Sequence, residues 1–233
     1  MPVDAVVFDW GGTLTPFHAV DLLDAWRAAA EVLAPDRADE VAEVLLAVER
    51  SSWRRVESTM ESATTGAILR EASAAVGLPV DEVLHERALA RYLDDWAPTT
   101  VARPEAVDVL QRLRRQRLRT GLLSNTHWPA DRHEEFLRRD GLLDLIDTRI
   151  YTSELEVVKP HPTTFTAVLD RLGTEPRSAV FVGDRRFDDI WGAQQVGMRT
   201  VWLRNEMTPP AEVEPDAVID ELAELPDVVA RWL

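Results

Sequence analysis

Short apolar runs of β-forming residues alternate with helical segments along most of this 233-residue chain. Alternation of this kind is typical of a parallel sheet whose strands are joined by crossover helices. The predicted strands are 4–8, 119–123, 148–151, 179–182, 200–203 and 217–219, and the predicted helices are 104–115, 129–138, 162–172, 188–196 and 221–233. The sequence therefore predicts an α/β fold built on a parallel sheet.

Residues 17–98 interrupt this alternation, because they contain no convincing strand. Apolar residues recur there at helical spacing in four stretches, 21–33, 39–56, 64–76 and 81–96. A block of four helices between the first and second strands predicts an inserted all-helical subdomain. The predicted organisation is thus a core of residues 1–16 and 99–233 that carries a helical insert of residues 17–98.

Composition limits the classes of function. The net charge of −15 argues against nonspecific nucleic-acid binding, although a local positive site can still bind a small anion. No apolar stretch approaches the roughly 20 residues of a membrane span, and the N-terminus lacks the features of a signal peptide, so a cytoplasmic location is expected. The absence of cysteine excludes disulfides, thiolate metal sites and a cysteine nucleophile.

Four polar sites lie at or just after predicted strand ends. They are Asp9 with Thr13, then Ser124, then Lys159, then Gly183-Asp184 followed by Asp188-Asp189. Each alone also fits a helix cap or a turn, but their order and placement together are hard to explain in that way. The carboxyl ends of parallel strands share one edge of the sheet, so these residues are expected to converge there. A nucleophile, a metal and fixed positive donors around one small anion suit phosphoryl transfer.

The acidic residues suggest a nucleophile and a metal site. Asp9 is the candidate nucleophile, since a carboxylate can form an aspartyl-phosphate. Asp184 offers a second carboxylate for Mg²⁺, which prefers oxygen ligands, and the backbone carbonyl of Gly11 can serve as a third ligand. Asp188 or Asp189 is expected to hold metal-bound water or to orient Lys159, and Asp189 is taken as the metal-site residue.

The remaining candidates are expected to bind the substrate. Lys159 is the single lysine of the chain beside twenty-five arginines, which marks it as a position that needs a compact ammonium. It is expected to pair with Asp9 and with the transferring phosphoryl oxygens. Ser124 and the amide of Asn125 are expected to donate hydrogen bonds to a phosphoryl oxygen, with Thr13 beside the nucleophile.

In sequence order, these residues resemble the four motifs of the haloacid dehalogenase-like hydrolase superfamily. The matching stretches are Asp9-Trp-Gly-Gly-Thr13-Leu, Leu122-Leu-Ser124-Asn-Thr, Val158-Lys159-Pro-His-Pro and Val182-Gly-Asp184-Arg-Arg-Phe-Asp188-Asp189-Ile-Trp-Gly-Ala193. The resemblance implies a Rossmann-like core, Mg²⁺ dependence and a helical cap inserted between the first two motifs. In this superfamily the cap closes over the site and selects the substrate.

One position departs from the family pattern. Most phosphatases of the superfamily have a second Asp two residues after the first, where this chain has Gly11. That Asp protonates the leaving oxygen and later activates water, and such groups contribute about 10²–10⁴ in rate. His18 and His127 are candidates to replace it, because histidine titrates near neutral pH.

Three hypotheses of function remain open. The first is a Mg²⁺-dependent hydrolase of a small phosphorylated metabolite with weak or atypical acid–base catalysis. The second is a weakly active or inactive protein that binds a phosphometabolite. The third is chemistry of the phosphonatase or dehalogenase branch. The phosphonatase mechanism is disfavoured because the insert has no lysine for a Schiff base, and dehalogenation is disfavoured because that branch lacks the Gly-Asp of the fourth motif, which this chain has at Gly183-Asp184. The sequence does not indicate an oligomeric state.

Overall fold

The computed structural model describes residues 1–18 and 20–233. Within these residues six parallel strands form one sheet in the order β3-β2-β1-β4-β5-β6. The strands are β1 (Ala5–Phe8), β2 (Arg119–Ser124), β3 (Thr148–Tyr151), β4 (Ala179–Gly183), β5 (Arg199–Leu203) and β6 (Ala217–Ile219). The predicted α/β fold with a parallel sheet is confirmed, and the ends of β2, β1 and β4 lie side by side.

Helices cover both faces of this sheet and also form the insert. They are α1 (Leu22–Leu33), α2 (Ala38–Thr59), α3 (Thr65–Ala75), α4 (Glu82–Trp96), α5 (Ala106–Arg115), α6 (Ala130–Arg139), α7 (Pro162–Leu172), α8 (Gly192–Gln195) and α9 (Leu225–Val229). Side chains of β1 alternate between two apolar clusters, Val6 and Phe8 on one face and Ala5 and Val7 on the other. The sheet is therefore the middle layer of an α/β/α arrangement.

Helices α1 to α4 follow β1 and have an apolar core of their own. This core is built around Trp26, Leu45, Leu69 and Tyr92. Asp21 caps α1 by accepting hydrogen bonds from the backbone N–H groups of the first turn. The four helices lie within about three residues of the predicted stretches, while the subdomain bounds at 17 and 98 stay a prediction. None of the described helices is both long and apolar enough to cross a bilayer.

Two predicted helices are wrong in detail. The predicted helix 188–196 is a π-helical segment from Arg186 to Trp191 that continues into the short α8. Within this segment the Asp189 carboxylate accepts a hydrogen bond from the backbone N–H of Arg185. The predicted helix 221–233 is broken into 3₁₀ turns on either side of the five-residue α9. Pro226 in its first turn lacks the N–H that a continuous helix from 221 needs.

Candidate active site

The centre of the site is a buried lysine between two carboxylates. The Nζ of Lys159 donates hydrogen bonds of 2.7 Å to Oδ1 of Asp9 and 2.7 Å to Oδ1 of Asp189. Asp9 directly follows β1, and its backbone N–H is held at 2.9 Å by the carbonyl of Val182 at the end of β4. Thr13 Oγ1 donates to the other Asp9 oxygen at 3.3 Å. The arrangement presents Asp9 in one orientation, next to a fixed positive charge.

Three buried carboxylates meet around this lysine. Oxygens of Asp9, Asp184 and Asp189 all lie within 4.8 Å of one another. Burial raises the pKa of Asp184 to about 6, and the charge of Asp9 contributes to this rise. Burial lowers the pKa of Lys159, but the charges of Asp189 and Asp9 outweigh this and hold it above the ordinary value, so the ammonium stays charged. One ammonium against three carboxylates leaves an excess of negative charge.

The residues present fit a small, hard dication. Asp184 Oδ2 accepts a hydrogen bond of 2.7 Å from the side chain of Asn205, whereas Oδ1 is buried and has no hydrogen-bond partner among the described residues. A buried, unpartnered carboxylate oxygen beside two further carboxylates is the oxygen donor set that Mg²⁺ takes. The backbone of the loop after β1 passes very close to the Asp184 carboxylate, since a Cβ on Gly12 would lie 2.2 Å from Asp184 Oδ2.

The two aspartates near 189 are now distinguished by their contacts. Asp189 uses one oxygen for Lys159 and the other for the backbone N–H of Arg185, at 2.9 Å. Asp188 is partly exposed, lines the cavity and lies 3.6 Å from the Arg185 guanidinium. The sequence left open which of the two aspartates orients Lys159, and the contacts of Asp189 fit that role.

The segment after β2 holds the lysine loop. The side-chain amide of Asn125 accepts from the backbone N–H of Lys159 at 2.8 Å and donates to its carbonyl at 2.9 Å. This side chain is therefore occupied in positioning Lys159, a role that the sequence did not suggest. Ser124 is buried at the end of β2 and lines the same cavity as Asp9.

Sequence reasoning missed two further supports of the site. The side-chain amide of Asn205 donates a hydrogen bond to Asp184. Asn205 lies two residues after β5, at the same sheet edge as the other strand-end residues, and this position could have identified it from the sequence. Arg103 donates to the carbonyls of Thr13 at 2.9 Å and Gly12 at 3.1 Å, which ties the first motif down. No pattern in the sequence marks Arg103 among twenty-five arginines.

A cavity of about 600 Å³ opens between the sheet edge and the helical insert. Asp9, Lys159 and Ser124 line its floor. Gly11 also lines it, and a Cβ built on Gly11 would meet nothing within 4 Å among the described residues. The absence of the second aspartate therefore leaves open space rather than a filled position.

Both histidines proposed as replacements also line this cavity. His18 is exposed, while His127 is buried and stacks on Trp53 with ring centroids 3.9 Å apart. Burial lowers the pKa of His127 to about 4, so its ring is neutral at neutral pH. Neither of its ring nitrogens has a hydrogen-bond partner in the described part of the chain.

Residues 3–197 match the model of a hydrolase family described as haloacid dehalogenase-like hydrolase, and the chain belongs to this family. It is 35% identical over 133 residues to a glyceraldehyde 3-phosphate phosphatase of Pyrococcus furiosus, covering 55% of this chain and 54% of that protein. The match thus spans about half the length of that relative.

Solved structures share the fold over the full length. A 2-haloacid dehalogenase from Pseudomonas syringae pv. Tomato DC3000 superposes with a TM-score of 0.71 at 29% identity, covering 99% of this chain and 100% of that one. An HAD phosphatase from Thermococcus onnurineus has a TM-score of 0.67 at 24% identity, with 97% and 98% covered. The architecture described above is therefore shared by a protein named as a dehalogenase and by one named as a phosphatase.

Proposed function

We propose that this protein is a Mg²⁺-dependent phosphohydrolase that acts on a small phosphorylated metabolite, with Asp9 as the nucleophile. The observation that carries the proposal is the buried Lys159 ammonium, 2.7 Å from both Asp9 and Asp189, beside the unpartnered oxygen of Asp184. The similarity to a glyceraldehyde 3-phosphate phosphatase supports this substrate class. A cytoplasmic location remains a prediction.

In the proposed first step an Asp9 carboxylate oxygen attacks phosphorus and the bond from phosphorus to the ester oxygen breaks. Lys159 donates to a phosphoryl oxygen and stabilises charge in the transition state. Ser124 adds a second donor on the same group. When bound, Mg²⁺ would supply the positive charge that lets two anions approach, and Asp9, Asp184 and the carbonyl of Gly11 would hold it. Asp189, the metal-site residue expected from the sequence, lies in the same cluster and would border the ion while it orients Lys159.

In the second step a water attacks the phosphorus of the aspartyl-phosphate and the carboxylate of Asp9 leaves. One proton of that water stays on the released inorganic phosphate, and the other returns to the water or histidine that gave a proton in the first step. Gly11 provides no acid for the leaving oxygen of the first step. That oxygen therefore takes its proton from water or from His18 in the cavity, because the His127 ring is neutral at neutral pH and cannot act as an acid. Substrates whose leaving group needs little protonation, such as acyl phosphates, are expected to react fastest.

The test compares Asp9→Asn with the wild type in phosphate release, using acetyl phosphate and p-nitrophenyl phosphate with Mg²⁺ or with excess EDTA. Asp9→Asn keeps the size of the side chain and removes the nucleophile, so activity should be lost. Asp36→Asn, at an exposed position of the insert, is the matched control and should retain activity. Equal turnover by Asp9→Asn and the wild type refutes the proposal.

A second candidate is a protein that binds a phosphometabolite without turnover, which the open space at Gly11 favours. A phosphorylated compound that raises the melting temperature and is recovered intact would establish it. Release of halide from a 2-haloacid would instead favour the activity for which the Pseudomonas syringae protein is named.

A further inference from the structure

A buried carboxylate lies in the wall that the helical insert contributes to the cavity. Glu49 of α2 lines the cavity and is 7% exposed. Its two oxygens accept one hydrogen bond each, from Trp26 Nε1 at 2.7 Å and from the hydroxyl of Tyr92 at 3.3 Å. Each carboxylate oxygen can accept a second hydrogen bond, so Glu49 retains acceptor capacity.

No basic side chain of the described residues lies within 4.0 Å of the Glu49 carboxylate, and its sequence neighbour Arg50 is exposed. Buried carboxylates in proteins are normally paired with a cation or bound to a metal. The Trp26 and Tyr92 donors are both neutral. Glu49 is therefore a buried carboxyl group that lines a cavity and has no basic side chain of the described residues in contact with it.

Aromatic rings surround the same part of the cavity. Trp53, Tyr92, Trp96 and Trp128 all line it, with Trp96 packed on Trp128 at a centroid distance of 5.2 Å. The faces of tryptophan and tyrosine attract cations, and cages of such rings bind ammonium groups. The buried His127 of the core side stacks on Trp53, and both of its ring nitrogens are unpartnered within the described residues.

The charges in the cavity are divided between its two walls. The described lysine and arginine that line it, Lys159 and Arg185, belong to the core side, which also contributes the carboxylates of Asp9 and Asp188. The charged residues that the insert contributes to the described lining are acidic, Glu49 within the wall and the exposed Glu57. A ligand that matches both walls has a phosphate at one end and a positive charge at the other.

We propose that the helical insert selects a phosphate ester with an ammonium group on its organic part, which binds among Trp53, Tyr92 and Trp96 beside Glu49. This inference rests on the proposed function, which places the phosphoryl group at Asp9 and Lys159. A second anionic group at the far end of the substrate would instead face Glu49 without a counter-ion.

Paired esters test the proposal. Phosphocholine and its neutral isostere, in which a tert-butyl group replaces the trimethylammonium group, have nearly equal size. Because the ammonium group also makes choline the better leaving group, the ratio of the two esters in the wild type is judged against the same ratio in a variant. The wild type should show a kcat/KM about tenfold higher for phosphocholine, mostly through KM, since cation–π and charge attraction add binding energy. Primary aminoalkyl phosphates of increasing chain length, each against its uncharged alkyl partner, cover other spacings between the two charges.

The variant Glu49→Gln removes the charge and keeps an oxygen for the Trp26 N–H. The ratio of kcat/KM for the cationic ester to that for the neutral ester should fall about tenfold in this variant, and a ratio within one variant is insensitive to a general loss of activity. Glu43→Gln changes the same charge at an exposed position of α2 and should keep the wild-type ratio. Equal kcat/KM for all charged and neutral pairs in the wild type, or a preference that survives Glu49→Gln, overturns the proposal.

Titration calorimetry with choline separates this inference from the proposed function, because choline has no phosphate. Hydrolysis of all esters without a cation preference refutes the ammonium site and leaves the phosphohydrolase in place. Choline binding that Glu49→Gln weakens about tenfold, with no hydrolysis of any ester, supports the ammonium site and refutes the phosphohydrolase. Absence of both choline binding and hydrolysis refutes both.

Discussion

Gly11→Asp is the substitution that tests the site most directly, because it restores the side chain that family phosphatases have. The structure has room for it, since a Cβ on Gly11 meets nothing within 4 Å of the described residues. Gly11 is also not among the glycines with positive φ, unlike the adjacent Gly12 at φ 92°. The new carboxyl should therefore enter the cavity without backbone strain or collision.

The environment favours this carboxyl as a general acid. Asp9 and the exposed Glu57 line the same cavity, and nearby negative charges raise the pKa of a carboxyl. A pKa closer to neutrality suits a group that must donate a proton and later accept one. Restored acid–base catalysis should raise kcat by about 10²–10⁴, which corresponds to about 3–5 kcal/mol of transition-state stabilisation.

The leaving group provides the diagnostic comparison. An alkyl phosphate expels a strongly basic alkoxide and needs the proton, whereas p-nitrophenolate leaves without one, so the gain should be large for alkyl phosphates and small for p-nitrophenyl phosphate. The assay is steady-state phosphate release with Mg²⁺ for wild type, Gly11→Asp and Gly11→Asn. The Asn variant has the same size and no acid–base function, so it should show no gain.

Two results would refute this reasoning. An equal gain in Gly11→Asp and Gly11→Asn would show that filling the space matters and that proton transfer does not. A loss of activity in both variants would show that the space at Gly11 accommodates part of the substrate or a water. In either case the missing aspartate would not be what limits the rate.

Three further predictions concern the surroundings of the nucleophile. Lys159→Met should abolish phosphate release and lower the free energy of unfolding by about 3–5 kcal/mol in denaturant titrations, because it leaves buried carboxylates unpaired; unchanged stability would contradict the ion-pair assignment. Gly12→Ala should lose activity and Mg²⁺-induced thermal stabilisation, because the alanine Cβ would lie 2.2 Å from Asp184 Oδ2 and residue 12 has a φ of 92°. A fully active Gly12→Ala variant would refute this prediction. Burial lowers the pKa of His133 from 6.5 to about 3, so between these two pH values the unfolded chain binds more protons than the folded chain. Stability should therefore fall as the pH falls, by up to about 1.4 kcal/mol per pH unit. His133→Asn should reduce that slope, and an unchanged slope would argue against a buried neutral ring.

The sequence predicted much of the site because a polar residue directly after an apolar run is recognisable as a strand-end residue. A carboxylate after an apolar run, as at Asp9 and Asp184, signals the carboxyl edge of a parallel sheet. The single lysine was singled out by composition alone, and the structure places it 2.7 Å from Asp9. The contacts of Asn125 with the lysine loop and of Asn205 with Asp184 were not predictable, because polar residues in loops have many possible partners.

The helical insert shows where periodicity stops being informative. Apolar spacing predicted its four helices, since burial of one helix face requires that pattern. The same pattern assigns Trp53 and Glu49 to α2 without showing whether they face a core, solvent or a cavity. Their placement depends on how the insert packs over the sheet edge.

The sequence by itself determined the parallel α/β fold and the family, because hydrophobic periodicity and strand-end motifs are patterns of residues that are close together in the chain. It also determined that Gly11 lacks a side chain. The tertiary structure alone decided that the space at Gly11 is open, that Asp189 holds Lys159, and that Glu49 lines an aromatic wall of the cavity. These depend on contacts between residues far apart in the chain, which local patterns do not encode.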